Sequence, residues 1–232
     1  MQFFFIVLVI CLVLFLFRLY HLANDDYMLI KRNITLEEVF NLAIISSLIS
    51  LGFARVFYIV FHPEPVFFTP LGFLLFPYFP GLSMTGAIFG GILSLLAYVR
   101  FKKFPAGRIF DFYTISLIFV LPVGLIGYFL LSKDITIGNT VKLAMYVVIL
   151  IFSNIYLYPK ARALEIKDGT LSVLFLIFFS LISLLGSAID NPGIKYFLSH
   201  KENLVLIIIL ITSIGLLLKL ELIGRAFIKD GK

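Results

Sequence analysis

Seven apolar segments, each close to the length needed to cross a bilayer, constrain this chain of 232 residues more than any other feature. Only 14% of the residues are charged, whereas a soluble domain needs about a quarter. The sequence therefore predicts an all-α, polytopic integral membrane protein that forms one transmembrane domain over residues 1–232. The predicted spans are residues 3–20, 37–61, 82–99, 110–131, 141–158, 171–189 and 203–219.

The basic residues divide unequally between the two sides of these spans. Fourteen of the nineteen lysines and arginines follow the first, third, fifth or seventh span. The positive-inside rule therefore predicts an N-terminus outside and a C-terminus in the cytoplasm. The net charge of +6 lies in these clusters beside the membrane, which favours anionic lipid headgroups as partners and excludes nucleic acid.

The segment between the second and third spans should be broken. Thr35 and Glu38 form a capping box that begins the second helix. After that helix, residues 63–80 combine proline and glycine with many apolar residues, so they can form neither one straight helix nor a hydrated loop. We predict an interfacial or re-entrant segment that lines protein rather than lipid.

Arg55 is the strongest candidate for a binding residue, because a charged side chain inside a span is costly unless it is paired or functional. It fits a clamp for a lipid phosphate, or a side chain that snorkels to the headgroups. Tyr58, one turn away, fits a donor to the same ligand or an interfacial aromatic residue. Gly86 and Gly90 form a Gly-x-x-x-Gly pattern that favours close helix packing or close approach of a headgroup.

Other motifs indicate structural roles. Arg108 and Asp111 are spaced to pair on one helix face. Gly124 and Gly127 follow a proline within the fourth span and should weaken that helix. The sequence shows no phosphate-binding loop, no Ser/His/Asp arrangement and no histidine at metal-ligand spacing, so we expect neither a metal nor a cofactor.

Residues 81–91 read G-L-S-M-T-G-A-I-F-G-G, which resembles the G-L-S-x-H-G-G-x-x-G-G signature of prolipoprotein diacylglyceryl transferases. The second span resembles the same family at residues 51–58, where Arg55 and Tyr58 match its pattern. The Pro-rich segment follows in the family's order, and Asp111 matches the aspartate that opens the fourth helix. Gly124, Gly127 and Phe129 match the family's G-R-x-G-N-F motif.

This resemblance implies a multi-pass protein of the bacterial cytoplasmic membrane. The family transfers the diacylglyceryl group of phosphatidylglycerol to a lipobox cysteine, so it implies an anionic phospholipid and prolipoprotein signal peptides as partners. The residues expected to bind lipid or phosphate are Arg55, Tyr58, Ser83, Thr85 and Gly86. The residues expected to have structural roles are Gly81, Gly90, Gly91, Arg108, Asp111, Gly124 and Gly127.

The chain departs from the family at three motif positions. Thr85 stands at the histidine, Leu125 at an arginine and Tyr128 at an asparagine. The sixth span offers Ser183 and Ser187 where the family has an arginine and a glutamate. We therefore expect weak or absent transfer and assign no catalytic residue. The alternative function is a non-catalytic phospholipid-binding or membrane-assembly protein on the same scaffold.

Overall fold

The computed structural model describes residues 2–24, 26–74, 81–132, 135–193, 197 and 199–223. Within these residues, seven helical segments are long and apolar enough to cross a membrane, which confirms the prediction of an all-α polytopic membrane protein. The helices are α1 (Gln2–Ala23), α2 (Tyr27–Lys31), α3 (Leu36–Phe61), α4 (Pro70–Leu74), α5 (Met84–Lys102), α6 (Ala106–Ser132), α7 (Ile137–Phe152), α8 (Tyr158–Arg162), α9 (Thr170–Asp190) and α10 (Lys201–Leu218).

The contacts divide the chain into two compact units, residues 1–105 and residues 106–232. In the first unit α3 packs along α5, and α1 contacts α3. In the second unit α9 packs against α6, α7 and α10. The single domain expected from the sequence stays a prediction.

The helix α3 begins as the sequence indicates. The Thr35 hydroxyl accepts a hydrogen bond from the Glu38 backbone N–H at 3.2 Å, and the Glu38 carboxylate accepts one from the Thr35 N–H at 3.3 Å. These two bonds satisfy donors that a helix N-terminus otherwise leaves unpaired, so the capping box is confirmed.

Small residues on α5 let the two long helices of the first unit approach closely. A Cβ atom at Gly86 would lie 2.6 Å from the carbonyl oxygen of Phe53, and one at Gly90 would lie 2.6 Å from the Phe53 Cβ. Gly91 faces the Ser50 hydroxyl in the same interface. The aromatic rings of Phe53, Phe57 and Phe89 then fill the space beside the glycines. These contacts support helix packing as the role of Gly90 and Gly91.

The chain between α3 and α5 is broken, as the prolines indicate. Pro65–Phe68 forms a single 3₁₀ turn, and the five-residue helix α4 follows it. At Gly72 a side chain would collide with the Val66 carbonyl, so glycine is required there. The last part of the predicted segment, residues 75–80, lies outside the described residues.

Arg108 and Asp111 do not form the expected pair within α6; both interact instead with the chain that leads into α9. Arg108 bonds to the Asp168 carboxylate at 3.3 Å and lies over the Phe112 ring. The Asp111 carboxylate accepts bonds from the Gly169 N–H at 2.7 Å and the Ser172 N–H at 2.9 Å. Asp111 thus caps the start of α9, where helical N–H groups need acceptors.

The fifth span contains an irregularity that the sequence analysis missed. After α7 the helix widens into a π-helical turn over Ser153–Leu157 before α8 begins. Pro159 lies just beyond this turn and has no N–H to donate, so the regular bond pattern cannot continue through it. The sixth span, α9, shows no such break.

The packing of α5 on α3 gives a testable prediction. Gly86→Ala should lower the free energy of unfolding by about 1–3 kcal/mol, because the new methyl group meets backbone that cannot move easily. Chemical unfolding of the purified protein in detergent would measure the change. Gly52→Ala is the matched control, since a Cβ at Gly52 meets nothing within 4 Å and alanine favours helix. Equal destabilisation by both variants would contradict this packing.

Candidate lipid-binding site

Arg55 lies on α3 with only 2% of its surface exposed, and its guanidinium binds three backbone carbonyl groups. The Nε donates to the Phe73 carbonyl at 3.2 Å, one terminal nitrogen to the Gly72 carbonyl at 2.5 Å, and the other to the Gly81 carbonyl at 2.8 Å. The first two carbonyls belong to α4, and the third belongs to Gly81, two residues before the Ser83 cap of α5. Arg55 therefore connects three pieces of the chain and does not snorkel.

Aromatic rings surround the same guanidinium. Its central carbon lies 4.8 Å from the centre of the Phe67 ring and 6.0 Å from the centre of the Tyr58 ring. Tyr58 in turn stacks on His62, with ring centres 4.9 Å apart. A cation beside aromatic faces is stabilised further where water is excluded.

Gly81 fits between Arg55 and Tyr58. Its carbonyl accepts the arginine bond, its φ of 150° lies in a region that favours glycine, and a side chain would collide with the Tyr58 ring. This position explains why a glycine begins the glycine-rich motif. A structural role for Gly81 follows from the contacts.

The start of α5 is attached to α3 at the next residues. The Ser83 N–H donates to the Ala54 carbonyl at 3.0 Å, and the Ser83 hydroxyl accepts from the Gly86 N–H at 3.3 Å as the helix cap. Thr85 is buried at 1% exposure in the first turn. Arg55, Tyr58 and Ser83 therefore gather at one end of the α3–α5 pair.

The predicted residues of the second unit are placed on a continuous helix. α6 runs through Pro122 without a break, with Gly127 buried and Gly124 partly buried. Leu125 is half-buried and Tyr128 is 46% exposed on the same helix. The roles predicted for Gly124 and Gly127 stay predictions.

Lys142 is a residue that the sequence analysis did not identify. Lys142 of α7 lays its alkyl chain across Gly186 of α9, one residue before Ser187 and three after Ser183. These two serines stand where the resemblance implies an arginine and a glutamate. A lysine inside the fifth span was the available signal, because charge within a span is costly.

Replacing Arg55 should loosen the chain between α3 and α5. Arg55→Lys keeps the charge but loses the planar fork, so at least two of the three bonds disappear. At about 1.5–3 kcal/mol for each bond to a charged group, the free energy of unfolding should fall by about 3 kcal/mol or more. Arg100→Lys, at an exposed position of α5, is the matched control.

Thermal unfolding together with limited proteolysis would measure this effect. Cleavage within residues 63–74 should become faster in the Arg55 variant only. Unchanged unfolding and cleavage would show that the three carbonyl contacts do not hold this segment.

Comparison with known families identifies the family of this chain. The family model described as prolipoprotein diacylglyceryl transferase matches residues 2–150, which is more than half of the chain and includes α3, α5 and α6. No curated protein sequence matches the chain. The matched range contains Arg55, its three carbonyl partners, the glycine-rich start of α5 and Asp111. The chain belongs to the prolipoprotein diacylglyceryl transferase family.

Proposed function

We propose that this protein binds an anionic phospholipid of the phosphatidylglycerol type at the end of α3 that carries Arg55, and that its diacylglyceryl transfer is weak or absent. Arg55, Tyr58, Ser83, Thr85 and Gly86 form the proposed lipid site. Prolipoprotein signal peptides are the proposed protein partners, through membership of the family.

The contacts of Arg55 carry the lipid-binding part of the proposal. A guanidinium has five N–H groups, and three of them hold the carbonyls of Gly72, Phe73 and Gly81. The other two make no hydrogen bond to an acceptor among the described residues, and we propose that a phosphate oxygen binds them. The same contacts hold the first turn of α5 beside the arginine, and N–H groups in a first helical turn attract anions.

The residues that stand at the family's motif positions support the proposal that diacylglyceryl transfer is weak or absent. The family reaction needs a base to form a thiolate and cations to hold a phosphate that leaves as an anion. The Thr85 hydroxyl is not a base near pH 7, and Leu125 brings no charge. Loss of one such group lowers the rate of other enzymes by roughly a hundredfold to a thousandfold. The same replacements favour the alternative function, a lipid-binding or assembly protein without turnover.

The distribution of basic residues supports one orientation. We propose that the N-terminus lies outside and the C-terminus in the cytoplasm, which puts the Arg55 end of α3 at the outer leaflet. Reporter fusions after Phe104 should report a cytoplasmic location and fusions after Lys133 an external one. The reverse pattern would overturn the orientation.

The transfer reaction can be tested with purified protein, phosphatidylglycerol and a lipobox peptide. We expect phosphatidylglycerol to bind, and transfer to run at least about a hundredfold slower than in a family member that keeps the histidine. Lipid binding would be measured in nanodiscs and product formation by mass spectrometry. Transfer at the rate of the control enzyme would show that other residues supply the chemistry. Lipid binding that survives Arg55→Gln in a folded protein would remove the proposed site.

A further inference from the structure

His62 lies on the same face of α3 as Arg55. It is the residue that caps the C-terminus of the helix, and its side chain is exposed. Arg55, Tyr58 and His62 follow one another at spacings of three and four residues, which bring side chains to one face of a helix. His62 is therefore the next side chain beyond Tyr58 at the end of α3 that carries the proposed site.

The Tyr58 ring contacts both of these side chains. Its centre lies 4.9 Å from the centre of the His62 ring, and the two ring planes are only 25° apart. The central carbon of the Arg55 guanidinium lies 6.0 Å from the centre of the same tyrosine ring. Because the face of a tyrosine ring attracts cations, this stack stabilises a protonated His62.

Few other charged groups are present around His62. Among the described residues 55–74 and 81–87, the titratable side chains are those of Arg55, Tyr58, His62 and Glu64. The 3₁₀ turn, α4 and the first turn of α5 therefore bring no charge to this end of α3. Glu64 is exposed and lies two residues beyond His62 in the chain.

The charge of His62 and the binding of an anion at Arg55 affect each other. Two positive charges beside one tyrosine ring repel, so Arg55 opposes the protonation of His62 while the site is empty. A bound phosphodiester carries one negative charge and removes this opposition. By reciprocity, a protonated His62 strengthens the binding of the anion. Histidine changes its charge between pH 5 and 8, whereas a phosphodiester does not.

We propose that His62 is a second cation of the Arg55 site when its ring is protonated, and that it makes anion binding there tighter at acidic pH. The inference rests on the proposed function, because it concerns the regulation of the same site. The added affinity is present when the imidazole is protonated and is lost as the pH rises through the titration range of histidine. Above that range Arg55 alone supplies positive charge at this end of α3.

Binding of phosphatidylglycerol to the purified protein in a zwitterionic detergent, at about pH 5.5 and about pH 8, tests this inference. The wild-type protein should bind about twofold to tenfold more tightly at the lower pH, which is the effect of one added charge roughly 10 Å away. His62→Gln should bind equally at both pH values, with the affinity of the wild type at the higher pH. His62→Arg is charged at both pH values and should bind tightly at both.

His21→Gln is the matched control. His21 is also exposed, lies in the last turn of α1 and contacts the aromatic rings of Phe17 and Tyr20. Tyr20 stacks on Phe40, which belongs to the opposite end of α3 from Arg55, so this variant should keep the pH dependence of the wild type.

The outcomes separate this inference from the proposed function. Equal wild-type affinity at both pH values, or a pH dependence that persists in His62→Gln, would overturn the role of His62 and leave lipid binding by Arg55 intact. An absence of lipid binding by the folded wild-type protein at either pH would overturn the proposed function and this inference together.

Discussion

The first unit depends on the hydrogen bonds from the Arg55 guanidinium to the carbonyls of Gly72, Phe73 and Gly81. An arginine in an apolar helix needs acceptors, and a chain broken by prolines exposes carbonyls that need donors. The arginine donates to two such carbonyls, those of Gly72 and Phe73 in α4. The broken segment and the buried charge therefore stabilise each other.

The rest of the first unit follows from this contact. With Gly81 fixed between Arg55 and Tyr58, Ser83 reaches the Ala54 carbonyl and α5 begins directly against α3. Gly86 and Gly90 then keep the two helices close along their length. The family pattern around Arg55 thus has a structural reason that is independent of catalysis. These contacts do not involve the Thr85 side chain.

Length, hydropathy and local caps made the seven spans, the Thr35 cap and the broken segment predictable, because these features depend on neighbouring residues. The partners of Arg108 and Asp111 were not predictable, because they lie more than fifty residues away in the chain. Arg55 could be chosen from its cost in a span, but its three carbonyls could not be named. Lys142 is likewise a charged residue within an apolar span, but only the structure shows that its alkyl chain packs against Gly186.

Rescue of a bacterial strain depleted of its own diacylglyceryl transferase would test most directly whether this protein keeps the scaffold without the chemistry. The protein should reach the membrane and bind phosphatidylglycerol, and the depleted strain should still fail to grow because transfer to lipobox cysteines is too slow. Growth at the level given by a family member with the motif histidine would contradict that separation. It would show that the transfer chemistry works without a histidine at position 85.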